Sequence, residues 1–518
     1  MVSGEANSQL KIANVVPSRT TLFVILAATC MACVGQNFLN GQANSFLQLL
    51  GLALFAIVLH KKPHQSIRNT WLFATVWIAG SVWWLYIALH DVGGMPSIVA
   101  LLAILLLSAG LATYYALAMG LYHWVGKNQN QYIRYLLFAA CWTMAELARG
   151  QWFTGFPWSA IGYAHVNSLL SYLAPWVGVY GIGMTAALLA AWMANSLATT
   201  DKTIKKLILA AVVLIACLPA HREIETTGEP LQVKLLQGNI SQIDKYTSEK
   251  RKAYEWYSNA LINTDSELTV TPEIAIPYFQ QELPKGYWEP LEKKFSTQQQ
   301  VALLGMPTLS DNKGYGNSAI GLGFGKNQQY DKFHLVPFGE FTPSYLKWFT
   351  DLMVNEMGEF NRGDIRQPPF IWKKHRLSVT ICYEDLFGEE LAARFVNTSV
   401  LPTVFVNMSN IAWFGNTMVL NQHLDIARMR SLEFDRPTIR ATNTGTTAII
   451  SAQGVVIKQL PPYTEGALSG VVNSKDNGMT FYAYWAGHWR LMPLWMLCLG
   501  ILLICAMVKW LKPKKTAL

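Results

Sequence analysis

Charge is scarce in this chain. Only 14% of its 518 residues are Asp, Glu, Lys or Arg, against 52% hydrophobic, far from the balance of an average soluble protein. Acidic residues are scarcest outside one stretch. Residues 231–472 hold 23 Lys plus Arg against 24 Asp plus Glu, which leaves 18 basic and 8 acidic residues for everything else. The net charge of +9 therefore comes from the flanks, which argues for membrane topology and against a nucleic-acid surface. Cysteine is sparse where water is expected. Six of the seven, Cys30, Cys33, Cys141, Cys217, Cys498 and Cys505, fall in apolar runs, no Cys-x-x-Cys pair faces water, and no His/Cys cluster has zinc spacing. A disulfide framework and a structural metal are thus not expected. Gly321-Leu-Gly-Phe-Gly325-Lys326 lacks the Ser/Thr that follows a phosphate loop, so it reads as a hairpin turn.

What is abundant is apolar sequence in runs. Candidate membrane helices span roughly residues 20–37, 44–60, 70–90, 97–124, 132–147, 170–197, 205–220 and 491–510, most near the ~20 residues that cross hydrocarbon. Residues 1–220 then form a membrane domain of about seven helices, and 491–510 a C-terminal transmembrane helix. A cleaved signal peptide is not expected, because further spans follow at once. Eight crossings put both termini on one side. If that side is cytoplasmic, the inner segments carry fourteen Lys or Arg, among them Lys61, Lys127, Lys205 and Lys514, and the outer ones only Arg149, Arg222, Lys475 and Arg490. The positive-inside rule therefore places residues 231–472 outside the cytoplasm.

Within 231–472, β-branched runs at Leu231–Leu236, Leu268–Thr271, Val301–Gly305, Ser318–Leu322, Leu377–Ile381, Val404–Asn407, Thr446–Ser451 and Gly466–Val472 read as strands. Lys250–Asn263 and Trp413–Glu433 read as helices, which together predict an α/β layered domain. Its single cysteine, Cys382, follows the strand formers Leu377–Ile381 and precedes Tyr383, Glu384 and Asp385. A free cysteine is commonly a small buried hydrophobe. A turn after a strand, however, is where a nucleophile is exposed. Two other strand ends carry charge: Thr271-Pro-Glu273-Ile-Ala-Ile-Pro277, and Tyr330-Asp-Lys332 running on to Glu340. Glu384 and Asp385 can also act simply as acidic residues at a helix N-terminus.

Glu, Lys and Cys on separate strand ends resemble the triad of the carbon-nitrogen hydrolase, or nitrilase, superfamily. The chain is similar, over nearly its whole length, to the apolipoprotein N-acyltransferase family of bacterial inner membranes. Gly155-Phe-Pro-Trp158, Gln237-Gly-Asn-Ile240, His334-Leu-Val-Pro-Phe-Gly-Glu340, Asn410-Ile-Ala-Trp-Phe-Gly415, Gln422-His423 through Ala427-Arg-Met-Arg430, and Thr442-Asn-Thr-Gly445 carry that similarity. Tyr246 stands where the family often has tryptophan, and Ile411 where an aspartate is expected. The resemblance implies a multi-span α-helical membrane domain plus an α/β nitrilase-like (α-β-β-α sandwich) extracytoplasmic domain over 231–472, periplasmic and catalytic. It also implies Cys382 as nucleophile, Glu273 as general base and Lys332 as oxyanion stabiliser. Glu340, Tyr383 and Glu384 are then supporting residues, while His334 and His423 are structural.

The implied reaction is ping-pong. Cys382 takes a fatty acyl chain from a phospholipid, phosphatidylethanolamine, and passes it to the α-amino group of the S-diacylglyceryl cysteine of an apolipoprotein. No metal, cofactor or nucleic acid is called for, and a monomer is expected. Tyr246, Trp348, Phe349, Met353 and Trp413 are candidate lipid or substrate contacts. The apolar run in 341–370 reads either as an interfacial lid or as a packed helix. Two other readings stay open: a membrane-anchored amidase that resolves its thioester with water, and a transporter or sensor with an inactive nitrilase-like domain. The scarcity of ionisable residues in the spans counts against the last.

Overall fold

Period-two alternation sets the layers of the α/β domain. The computed structural model describes residues 18–34, 43–198, 203–225, 227–297, 299–309, 314–325, 328–343, 360–396 and 399–511. Along β1 (Glu229–Gln237), Leu231, Val233 and Leu235 enter one core while Leu236 enters another, as strand geometry requires. β1, β2 (Leu268–Val270) and β3 (Val301–Leu309) pair in parallel; β4 (Tyr315–Leu322), β5 (Gln328–Asp331) and β12 (Gly466–Ser474) extend them antiparallel, giving the order β12-β1-β2-β3-β4-β5. A second six-stranded sheet has the order β11-β10-β9-β8-β7-β6. Its strands are β6 (Phe370–Trp372), β7 (His375–Ile381), β8 (Val404–Ser409), β9 (Thr438–Thr442), β10 (Ala448–Ile450) and β11 (Val456–Gln459). The two sheets share an apolar core in which Val233, Val270 and Leu303 belong to the first and Val379, Val406 and Ile439 to the second.

Helices cover both outer faces. Helix α8 (Lys250–Ile262) and helix α9 (Trp288–Thr297) cover the first sheet, with Leu236, Ala302 and Leu304 in the core with Tyr257, Leu261, Leu291 and Phe295. The second sheet is covered by α10 (Gly388–Ala392) and α11 (Val419–Phe434). That layer has no boundary of its own. Phe405, Ile426 and Met429 sit in one continuous core with Phe55, Trp77 and Trp142 of the apolar helices.

Those helices are α1 (Arg19–Ala32), α2 (Ser45–Lys61), α3 (Ser66–Ser81), α4 (Ser97–Gly126), α5 (Gln131–Gln151), α6 (Ala174–Ala198), α7 (Thr203–Cys217) and, after the α/β domain, α13 (Met492–Leu511). Ser18, Asn44 and Asn130 cap α1, α2 and α5, each accepting a backbone N–H three residues on. Among the described residues, three helical spans, Ser97–Gly126, Leu169–Ala198 and Met492–Leu511, are long and apolar enough to cross a membrane. The pair Ser45–Lys61 and Pro63–Ser81, bent by 112°, makes a fourth if counted as one span. These helices suggest a membrane protein.

Two expected helices differ from those observed, and one observed helix was not expected. The run at 70–90 is not one helix, because α3 stops at Ser81 and a short π-helical stretch, Ile87–Val92, follows. The carbonyl of Ser81 accepts from the side chain of distant Gln422 (3.1 Å), which completes the helix end. The helix expected from Trp413 begins at Val419, since Ala412–Phe414 is a 3₁₀ turn closed by Gly415 at φ +64°. A helix, α12 (Phe481–Trp489), occupies a segment that carries no expected element.

Candidate active site

The parallel strands deliver the chemistry, because their carboxyl ends open on one side of each sheet. Glu273 follows β2, Lys332 follows β5, Cys382 follows β7 and Asn410 follows β8. The Glu273 turn is held against β3: Thr271 N donates to Leu303 O, Gly305 N to Thr271 Oγ1 and Ile276 N to Gly305 O. A Cβ at Gly305 would run into the carbonyl of Pro272, so only glycine admits this approach. Ile274, next to Glu273, sits at φ +44°, and Cys382 itself at φ +53°. Such conformations cost about 1–3 kcal/mol each and persist where surrounding structure imposes them.

The charges meet at Lys332. Its Nζ, buried, donates to Glu273 Oε1 at 3.1 Å and to Glu340 Oε1 at 2.8 Å. The Nδ2 of Asn317 on β4 donates to the same two oxygens, at 2.7 and 2.8 Å. One ammonium and one amide thus hold two carboxylates side by side. The second oxygen of Glu340 accepts from Val336 N, closing the 336–340 loop on itself. The second oxygen of Glu273 accepts from Asn410 N at 3.0 Å, and that same N–H faces the Cys382 sulfur. Asn317 is absent from the sequence reading; an amide in Gly316-Asn-Ser carries no local signal of its task.

Protonation follows from this arrangement. Burial pushes the Cys382 thiol well above its ordinary value and the Glu273 and Glu340 carboxylates push the same way, against Lys332 and the Asn410 N–H. Burial also opposes the charge on Glu273, but Lys332 and Asn317 outweigh it and hold the carboxyl below its ordinary value. Burial opposes the charge on Lys332, but the Glu273 and Glu340 carboxylates outweigh it and hold the ammonium well above its ordinary value. At rest the site therefore pairs a neutral thiol with an ionised carboxylate and an ammonium. A second buried lysine, Lys245, lies behind Glu273; burial lowers it to about 8, and its Nζ is 3.4 Å from the Glu273 carbonyl.

Glu384 has a different task from the triad. Its carboxylate accepts from Ile381 N, Phe333 N, His334 N and Tyr330 Oη at 2.7–3.1 Å, tying the segment after Lys332 to the residue before Cys382. Asp385 accepts from His423 (2.9 Å) and faces Arg440 (3.4 Å), so both acids next to the cysteine are buried structural partners. His334 Nδ1 pairs with Glu390. Asn443 joins two of the motifs, donating to Ile240 O and Asn410 Oδ1 and accepting from Ile240 N. Tyr246 is half exposed, beside Lys245, and Trp413 is half-buried in its 3₁₀ turn. Trp348, Phe349 and Met353 lie outside the described residues.

Comparison with known proteins bears on the whole chain. The family model "Apolipoprotein N-acyltransferase N-terminal domain" matches residues 40–192, and "Carbon-nitrogen hydrolase" matches residues 232–478. The apolipoprotein N-acyltransferase of Verminephrobacter eiseniae is 44% identical over 481 residues, covering 87% of this chain and 90% of that protein. The chain belongs to the apolipoprotein N-acyltransferase family. The enzyme of that name from Ralstonia nicotianae is 39% identical over 84% of each chain, and that of Chromobacterium violaceum 33% identical over 94% of this chain and 95% of its own. In this N-acyltransferase family member the two matched regions touch at the cysteine. Tyr383 donates its hydroxyl to Gly155 O at 3.0 Å, so the residue after the nucleophile rests on the Gly155-Phe-Pro-Trp158 loop of the helical part.

Proposed function

We propose that this protein transfers a fatty acyl chain from a phospholipid, through a thioester on Cys382, to the α-amino group of the S-diacylglyceryl cysteine that begins an apolipoprotein. Family membership supports the reaction class. The observation that carries the residue assignment is the arrangement of Glu273, Lys332 and Glu340 beside a neutral thiol, with the Asn410 N–H held on the second Glu273 oxygen.

In the first half-reaction the Cys382 sulfur attacks an ester carbonyl of the phospholipid, phosphatidylethanolamine in this reading, as Glu273 takes the thiol proton. Lys332 faces the developing oxyanion, aided by backbone N–H groups in the first turn of the 3₁₀ segment Cys382–Leu386. The C–O bond breaks, Glu273 returns the proton to the glycerol oxygen, and lysophospholipid leaves. In the second half-reaction the acceptor amine attacks the thioester and gives a proton to Glu273. The C–S bond then breaks, and Glu273 reprotonates the thiolate. A thioester retains enough transfer potential for an amine to capture it, so the cycle balances without redox chemistry.

The reading places residues 231–472 in the periplasm as the catalytic domain, residues 1–220 and 491–510 in the inner membrane as a multi-pass anchor, and both termini in the cytoplasm. A monomer suffices. Both substrates carry acyl chains, each buried CH₂ of which is worth about 0.8 kcal/mol, which is a reason to keep the site against the bilayer. Mass spectrometry of the purified protein with phospholipid tests the chemistry: a one-acyl gain on the Cys382 peptide, reversed by hydroxylamine, is expected, followed by an amide on an added diacylglyceryl peptide. Release of free fatty acid in place of the amide identifies an amidase. Impermeant thiol labels tests topology, with residue 300 labelled from outside and Lys127 and Lys205 positions only after permeabilisation.

A further inference from the structure

Helix α12, between the last strand and α13, has two faces of different character. Tyr482, Ala483, Trp485, Ala486 and Gly487 are buried, while Phe481, Tyr484, His488 and Trp489 are exposed. Positions i, i+3, i+7 and i+8 share one helix face. That face is nearly all aromatic, with Phe481 57% and Trp489 51% exposed, and ends at exposed Arg490. Water is a poor cover for such a stripe. Amphipathic rings beside a basic residue match the headgroup layer of a bilayer, where Trp and Tyr collect.

Two neighbouring features point to the same occupant. Beyond Arg490 and buried Leu491, exposed apolar surface resumes at Met492 and Met496 on α13, which is apolar, long enough to cross a membrane and little buried by the protein. Exposed Trp176 lies 6.1 Å from Phe481, ring to ring, and its carbonyl accepts from the Trp485 indole, so the belt extends onto α6. Arg490 at φ +50° and ψ −135° breaks α12 from α13 and lets the two take different directions.

The buried face leads to the nucleophile. A Cβ at Gly487 would strike the carbonyl of Ala392, so α12 lies directly on the helix that follows the Cys382 turn. Tyr482 packs on Gly388 and on Phe434. We infer that α12 is an interfacial helix lying in the headgroup layer of a phospholipid bilayer, and that its contact with Gly388–Ala392 fixes the depth of Cys382 relative to the lipid ester. The inference rests on the reading of the chain as a membrane acyltransferase acting on phospholipid.

The full-length protein in nanodiscs of phospholipid brominated near the top of the acyl chains tests it. The emission of Trp489 is obtained by difference from Trp489→Phe, and that of Trp510, at the far end of α13, by difference from Trp510→Phe. Quenching of both is expected. An unquenched Trp489 with a quenched Trp510 overturns the inference and leaves the membrane reading intact; both unquenched overturns the two together. The triple variant Phe481→Ser, Tyr484→Ser, Trp489→Ser changes only exposed positions. It should acylate Cys382 from vesicle phospholipid at least ~10-fold more slowly, with an unchanged rate from a short water-soluble acyl ester and an unchanged melting temperature. Equal rates from vesicles, or parallel loss of both reactions with a lowered melting temperature, overturns the depth role.

Discussion

Lys332 shows how little of a residue's job lies in its type. An isolated lysine is usually solvated, yet this one is buried between two carboxylates and an amide that holds them together. Glu273→Gln and Lys332→Met should each slow thioester formation by at least ~10²-fold, the scale of losing a general base or an oxyanion stabiliser, measured as single-turnover acylation. The pH profile gives a separate check. Glu273 lies below its ordinary value of 4.5 in the fold, so as the ionised base it loses activity only as pH falls through that lowered value. The acid limb of kcat/KM in wild type should therefore sit below pH 4.5. Asn317→Ala removes a hydrogen bond that favours the carboxylate, and the limb should move up. An unmoved limb would mean that another group controls it.

At the scale of elements, the turn that presents Cys382 is braced from two sides. Glu384 ties it to the Lys332 segment, and Tyr383 rests on Gly155. The loop beneath is itself under constraint, with Phe153, Thr154, Gly155 and Ser159 all at positive φ. Gly155, at φ +80°, faces both the Gly150 carbonyl and the Phe387 ring where a Cβ would stand. Gly155→Ala should displace Tyr383 and lower the acylation rate by about 10-fold or more, as misplacement of a reacting group does. The expected signature is a fall in kcat with little change in the insertion of the helices, read by protease accessibility. Tyr383→Phe, which keeps the ring and loses the hydroxyl, should fall between this variant and wild type.

Across the whole molecule the helical part and the α/β domain share one core, and polar side chains lock them. Gln422 of α11 accepts from the indoles of Trp84 (3.1 Å) and Trp158 (2.7 Å) and donates to Ser81 O. Glu433 accepts from Val179 N at 2.7 Å and pairs with Arg430 at 2.9 Å. Gln422→Leu removes the partner of the Trp158 indole N–H and leaves the Trp84 indole and the Ser81 carbonyl with only each other, and a buried polar group left unpaired costs ~1–3 kcal/mol. The melting temperature in detergent should fall, and the linkers between helices and domain should become more accessible to protease. If the two parts were independent, the α/β domain would melt unchanged.

Glu273 and Cys382 stood out because each follows a run of strand formers, and β-branched runs declare themselves by local pattern; Lys332 follows the polar Gln328–Asp331 and stood out only by likeness to a family. The apolar helices were legible as apolar runs, but of the eight expected spans only three among the described residues, or four counting the bent pair, are long and apolar enough to cross a membrane. The motif around Glu340 was legible too, by its likeness to a family. Arg440 hid β9, because a strand carrying a buried arginine looks polar until its partners, Asp385 and His423, come from elsewhere in the chain. Asn317, the break after Ser81 and the seat of Tyr383 on Gly155 were equally hidden. Sequence determined the apolar helices and the β-branched strands of the core, for those choices depend on neighbours a few residues away. Only the tertiary structure decided which polar groups meet across hundreds of residues, because a buried donor or acceptor is satisfied by whatever packing brings to it.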